Sequence, residues 1–81
     1  MEIRKTYVEV AANFTKDGRL IPKAVIWNDG HRYEIQRIKD ICRAASLKAG
    51  GAGLRYTCMI DGRESHLFYE DNNMWFVEEK V

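Results

Sequence analysis

Three Asp-Gly dipeptides punctuate this chain, at Asp17-Gly18, Asp29-Gly30 and Asp61-Gly62. Each separates runs rich in Val, Ile, Tyr, Phe, Trp and Thr, and Asn72-Asn73 holds the same kind of position near the end. A two-residue hairpin turn of type I′ needs positive φ at both central residues. Gly adopts it freely, and Asp and Asn adopt it more readily than most. Turn residues of this kind between β-branched and aromatic runs are the strongest short-range hairpin signal. A chain that doubles back at four such corners is expected to be an antiparallel meander.

The side-chain period of two then sorts the faces. From Ile3 to Phe14, Thr6, Val8, Val10, Ala12 and Phe14 share one face. From Leu20 to Asn28, Ile21, Val25 and Trp27 point one way, with Lys23 interrupting. Pro22 cannot donate to a ladder, which predicts an edge or a bulge there. Tyr33 and Ile35 start a third strand at Arg32. Further on, Leu54, Tyr56, Cys58 and Ile60 alternate with Arg55, Thr57 and Met59, Leu67 and Tyr69 share a face opposite His66 and Phe68, and Trp75 and Val77 point in while Met74, Phe76 and Glu78 point out.

The stretch 34–49 carries two patterns. Ile35, Ile38, Cys42, Ala45 and Ala49 recur at helical steps, and Gly50 suits a helix C-cap. No Ser, Thr, Asp or Asn immediately precedes it to cap a helix start. The alternative is a long strand with a β-bulge at the step from Ile35 to Ile38. Lys48 to Gly53, dense in glycine, is expected to be a hairpin loop. It lacks the Gly-Lys-Ser/Thr ending of a phosphate-binding loop.

With 81 residues the chain is expected to form one domain, 1–81, near the lower size limit for a core without staples. The start of the chain has no apolar run of signal-peptide length and no stretch reaches membrane-span length, so the expected address is the cytoplasm. Cys42 and Cys58 are then expected to be thiols. A loop centred near Gly50 would make them cross-strand neighbours.

The net charge is only +1, but it is unevenly spread. Residues 30–55 carry six Lys or Arg against two carboxylates, and residues 56–81 carry two against six. Opposite charges pairing across neighbouring strands account for this arrangement. A basic face aimed at a polyanion also accounts for it.

No catalytic set is legible. Ser65 and His66 are adjacent, so on a strand they face opposite ways, and Ser46 and His31 have no third partner. The chain is expected not to be an enzyme. His31, Cys42, Cys58 and His66 lack the spacing of a zinc knuckle, so neither metal nor cofactor is expected. Nine aromatics exceed the needs of one small core. Phe68 and Phe76 lie opposite the core face on adjacent strands and are expected to form an exposed pair. Arg32, Arg37, Arg43 and Arg55 would then supply phosphate contacts in the manner of single-strand-binding barrels.

Trp27-Asn28-Asp29-Gly30-His31-Arg32-Tyr33-Glu34-Ile35, Gly53-Leu54-Arg55-Tyr56-Thr57, Leu67-Phe68-Tyr69-Glu70 and Trp75-Phe76-Val77-Glu78 form a spaced pattern of aromatics and glycines. Over residues 20–79 this pattern resembles a group of short bacterial proteins classed as a domain of unknown function. The resemblance implies a compact all-β unit. Some longer members lie near genes for error-prone DNA polymerases, which implies a link to DNA handling. The glycine loop departs from theirs, and no binding residue is carried over.

The expected fold is all-β: about six antiparallel strands in a meander curled into an SH3-like half-open barrel. The alternative is α+β, with one helix near 34–49. The expected core is Val8, Val10, Val25, Trp27, Tyr33, Ile35, Ile38, Tyr56, Cys58, Ile60, Leu67, Tyr69, Trp75 and Val77. Truncating Trp27 or Trp75 to Ala is expected to unfold the domain. The expected function is a binding or adaptor module acting on a protein partner or on itself. The alternative is a nucleic-acid-binding module using the basic segment 30–55, with Arg32, Arg37, Arg43, Arg55, Phe68 and Phe76 in contact.

Overall fold

The computed structural model describes residues 3–43, 53–70 and 72–80. They form six strands: β1 (Ile3–Phe14), β2 (Leu20–Ile26), β3 (Arg32–Arg43), β4 (Gly53–Ile60), β5 (Arg63–Glu70) and β6 (Trp75–Lys80). Each strand pairs antiparallel with the next, and β6 returns to β1 to close a barrel. Two long strands make closure possible. β1 pairs with β6 over Ile3 to Val8 and with β2 over Glu9 to Phe14. β3 pairs with β2 over Arg32 to Glu34 and with β4 from Ile35 onward. Each long strand therefore passes from one sheet to the other, as barrel corners require. The described part of 34–49 is strand; 44–52, with Ser46 and most of the expected glycine loop, lies outside the described residues.

The corners differ in kind. At Asp61-Gly62 both residues have positive φ, 51° and 75°, giving the expected type I′ turn. At the other two Asp-Gly corners only the glycine does, with Gly18 at 85° and Gly30 at 87°. There Gly18 N–H donates to Thr15 O and Thr15 N–H to Arg19 O, while Gly30 N–H donates to Trp27 O and Trp27 N–H to His31 O. These are three-residue loops: a type I turn followed by a left-handed residue. Asn73, at φ 66°, plays that part between Glu70 and Met74. The type I′ expectation is thus corrected at three corners. The extra loop residue moves Asp or Asn out of the left-handed region, where its side chain accepts from nearby groups instead. His31 N–H donates to Asp29 Oδ1 and Met74 N–H to Asn72 Oδ1.

Three bulges reset the faces. Two lie in β3, between Ile35 and Arg37 and between Ile38 and Asp40. Each adds a residue to β3 and none to β4, so Ile35, Ile38 and Ile41 all fall opposite inward positions of β4. A strand bulged twice reads in threes, which is how it imitates a helix face. The bulges also shift the register, so Cys58 pairs with Ile38, and Cys42 pairs with Arg55 on the outer face. The expectation that the two cysteines are cross-strand neighbours is corrected. The third bulge falls beside Pro22, with Lys23 as the extra residue. Leu20 and Pro22 therefore face inward, in place of Ile21.

The core follows. Val8, Val25, Tyr56, Cys58, Leu67 and Trp75 are buried, with Val10, Ala12, Leu20, Trp27, Ile35, Ile38, Leu54, Ile60, Tyr69 and Val77 packed on them. Thirteen of the fourteen expected core residues belong to this cluster. Tyr33 does not, and is half-buried at one end of the barrel. Burial pushes the Cys58 thiol up to about 11, so it stays protonated at neutral pH. Tyr56 spans the interior, and its hydroxyl donates to Leu20 O at 2.6 Å. That carbonyl needs a partner. Thr15 and Arg19 form a bonded rung, so Leu20 and Pro22 fall on the wide rungs and turn their remaining backbone groups away from β1. Pro22 has no N–H to leave unpaired there. No helix among the described residues is long and apolar enough to cross a membrane.

Candidate functional site

The register places five outer side chains in one row across the sheet: Cys42, Arg55, Phe68, Phe76 and Tyr7. Phe68 and Phe76 stack nearly parallel, with centroids 4.9 Å apart. They are neighbours, as the alternation requires, but they are not an exposed pair. Phe68 is 5 % and Phe76 2 % accessible. Tyr7 meets Phe76 edge-on, and Lys5 Nζ stands 4.6 Å from the Phe76 centroid and 5.0 Å from that of Tyr7. Glu70 completes this lid, accepting from the Tyr7 hydroxyl at 2.6 Å and from Lys5 at 3.0 Å. The Tyr7 hydroxyl and then Lys5 hold the Glu70 carboxyl below its ordinary value. The outer phenylalanines thus form a second apolar layer. Nothing in the alternation of β5 and β6 signals it, because the covering groups lie far off in sequence.

The four arginines do not converge. Arg32 opens β3, exposed and paired with Glu34. Arg37 and Arg43 are exposed further along β3, and Arg43 closes it. Arg55 is half-buried beside Phe68, with Nε shielded from solvent and lacking a hydrogen-bond partner among the described residues. Only Arg55, Phe68 and Phe76 of the expected contact set lie side by side in one row. Charge on the two halves of the chain pairs across strands in part, through Lys39–Glu64 at 2.7 Å. Two further pairs, Arg4–Glu79 and Lys5–Glu70, tie β1 to the acidic end.

A concave site lies at the opposite end of β5 and β6 from the lid. The β5–β6 ladder has three rungs and stops at Leu67 with Val77. Below that point β5 continues to Arg63 against β4, and β6 continues to Lys80 against β1. The two strands part, and a cavity of about 950 Å³ opens between them. Val25, Trp27 and Tyr33 from β2 and the β2–β3 hairpin line it, with Ile60 and Val77. His31 packs on Tyr33, ring centroids 4.3 Å apart. The polar lining carries four carboxylates, Asp61, Glu64, Glu78 and Glu79, against one guanidinium, Arg63.

Backbone groups also face this opening. Ile60 and Arg63 flank the two-residue turn and form a bonded rung, so Glu64 and His66 occupy wide rungs of the β4 ladder. The N–H and C=O of Glu64 therefore turn toward β6, where the ladder has already ended. Lys39 holds Glu64 below its ordinary value by a hydrogen bond, and Thr6 with Arg4 does the same for Glu79. Both carboxylates are ionised at neutral pH.

Ser65 lies on the Cys58 face and His66 on the Thr57 face, so no nucleophile–base pair forms between them. Among the described residues no three His, Cys, Asp or Glu side chains converge to hold a metal ion. The aromatic floor escaped the sequence reading because Trp27 and Tyr33 counted there as core. The available signal was their position, each within three residues of the Asp29-Gly30 corner, where a barrel opens to solvent. No family model, curated protein or solved structure matches this chain.

Proposed function

We propose that this small all-β barrel is a non-catalytic binding module. Its working surface is the cleft between the β2–β3 hairpin and the parted ends of β5 and β6, and its partner is a protein. The observation that carries this reading is the cavity itself, with two half-buried aromatics at its floor and charged groups at its rim. Apolar floors with few placed polar groups are the usual form of binding sites. Barrel closure weighs against self-association through a free sheet edge, because an edge survives only where strands part. The nucleic-acid alternative has less support, since its aromatic pair is covered and its arginines are dispersed.

Amide and indole shifts on titration test the reading. The titrants are a mixed-sequence peptide pool and, separately, a single-stranded oligonucleotide at low salt. The expected result is that peptides move Trp27, Tyr33 and Ser65 signals. Oligonucleotide binding that moves Arg37, Arg43 and Arg55 instead, and weakens steeply with salt, would overturn it.

A further inference from the structure

We infer that the end of the barrel opposite the cleft docks on an anionic lipid surface, with Phe14 as its inserting side chain and Lys16, Arg19 and Arg43 as its contacts to the headgroups. The cleft takes no part in this, so the inference goes beyond the binding-module reading and stands or falls apart from it.

In this closed antiparallel barrel, the ends of β1, β3 and β5 and the starts of β2, β4 and β6 meet at one end. Among the described residues four large apolar side chains remain exposed, and three of them lie there: Phe14, Ile41 and Met74, at 73, 38 and 44 %. They stand around one mouth. Phe14 lies opposite Leu20, whose carbonyl the Tyr56 hydroxyl caps, and Ile41 lies opposite Tyr56 itself. Met74 immediately precedes Trp75, whose ring meets that of Tyr56. Scattered singly, exposed apolar residues need no explanation; grouped at one end, they mark an interaction surface.

The charge around this mouth is basic. Lys16 and Arg19 flank the Asp17-Gly18 corner that follows Phe14, and Arg43 closes β3 two residues after Ile41. All three are exposed, and none forms a salt bridge among the described residues. Asp17 is the carboxylate among them. The Thr15 hydroxyl donates to it at 2.8 Å and holds it below its ordinary value, and Arg19 adds to this. Asp40 turns to the outer wall beside Thr57, and Glu70 is engaged by Tyr7 and Lys5. Three cations against one carboxylate make this end complementary to an anionic surface. Separate apolar tips with cations between them suit a fluid interface, which receives each tip without a matching pocket. Each cation held near an anionic leaflet favours binding by roughly fivefold.

Co-sedimentation of the full chain with vesicles tests this. One set is phosphatidylcholine alone, and the other mixes phosphatidylcholine and phosphatidylserine two to one. The variants are Phe14→Ser, Lys16→Ser combined with Arg19→Ser, and Phe14→Trp. These side chains are exposed, and the hairpin is held by backbone bonds from Gly18 N–H to Thr15 O and from Thr15 N–H to Arg19 O, so the fold is expected to persist.

The parent is expected to sediment with the mixed vesicles and to stay in solution with phosphatidylcholine alone. The double variant is expected to lose at least tenfold in affinity and Phe14→Ser at least fivefold. The indole introduced by Phe14→Trp is expected to be quenched by mixed vesicles whose acyl chains carry bromine. Equal sedimentation with both kinds of vesicle would overturn the charge argument and the inference with it. Undiminished binding of Phe14→Ser, with no bromine quenching, would show that this end does not enter lipid. If the parent ignores both vesicles, the inference is wrong; polyglutamate or an oligonucleotide that then moves the Lys16 and Arg19 amide signals would assign the end to an acidic macromolecule. Trp27 and Tyr33 signals are expected to stay still throughout, so the cleft is judged separately.

Discussion

Among the described residues, neighbouring strands of this barrel part in two places, and the two gaps are treated in different ways. Between β2 and β3 the ladder covers only Ala24–Ile26 with Arg32–Glu34. Beyond it Leu20 to Pro22 pairs with β1 alone, and β3 turns to β4. That gap is filled. Tyr56 reaches across the interior to the Leu20 carbonyl, and buried Pro22 offers no donor to strand. Between β5 and β6 the gap holds a cavity, and the backbone of Glu64 faces it. A missing ladder costs less where a carbonyl facing the gap is bonded by a core side chain and a proline removes a donor, as Leu20 and Pro22 do here.

The largest expected effects fall on the filled gap. Tyr56→Ala removes a fully buried ring in contact with Trp75 and orphans the Leu20 carbonyl. The expected loss is about 3–5 kcal/mol in urea denaturation. That is a large share of the roughly 5–10 kcal/mol a domain this size has in total. Trp75→Ala belongs with it. Trp27→Ala at the open gap is expected to cost about 1–2 kcal/mol, because that ring is only partly buried and already meets water on one side. The sequence alone predicted equal damage from the two tryptophans. Equal losses would mean that the cleft is core and that the contrast drawn here is false.

Tyr56→Phe isolates the hydroxyl. It keeps the ring and leaves a buried carbonyl without its donor, at an expected cost of about 1–3 kcal/mol. A loss below about 0.5 kcal/mol, the size of an ordinary surface change, would show that water reaches Leu20 O and that this gap is no more sealed than the other.

What could be read from the sequence was whatever depends on near neighbours. The corners, the alternation and the strand bounds of β1 are local, and they emerge from turn chemistry and the period of two. Bulges are local only in part. Pro22 announced one, because a missing donor is visible in a single residue. The pair in β3 left only the spacing of Ile35 and Ile38, which a helix shares. Closure is not local at all. Phe76 is covered by Tyr7 and Lys5 from the other end of the chain, so its burial could not be read from β6. The cleft escaped for the same reason: it exists because β5 and β6 diverge after three rungs, a consequence of how far each follows its other neighbour.

The two ends of β5 supply a sharper comparison. Near its upper end a Cβ on Gly53 would lie 2.5 Å from the Tyr69 carbonyl oxygen. Backbone cannot yield there as a flexible side chain can. Gly53→Ala is expected to cost about 1–3 kcal/mol through displacement of the β4–β5 ladder. Ser65→Ala, on the lower half, is expected to change stability by less than about 0.5 kcal/mol. Thermal melts of the two variants check the difference. If Gly53→Ala melts with the parent, the upper end of β5 is as loose as the lower.

The smallest expected effect concerns the clamp that holds β6 and β5 to β1 above the gap. Tyr7→Phe deletes the hydroxyl that does most to depress the Glu70 carboxyl. A carboxyl held low in the folded state stabilises fully above its unfolded value, near pH 4.3. That contribution is lost as pH falls through the depressed folded value. Lys5 is raised by the same two partners, Tyr7 and Glu70, so its contribution is full below about pH 10.4 and is lost as pH rises beyond it. The parent is therefore expected to exceed Tyr7→Phe by about 0.5–1 kcal/mol between pH 5 and pH 9. The difference should narrow on both the acid and the alkaline side. Urea midpoints from pH 2 to pH 11 measure it. A difference that stays flat from pH 2 to pH 11 would show that Tyr7 acts by packing on Phe76 alone. β5 and β6 would then be held together above the gap by apolar contact, with no electrostatic counterpart to the charged rim below.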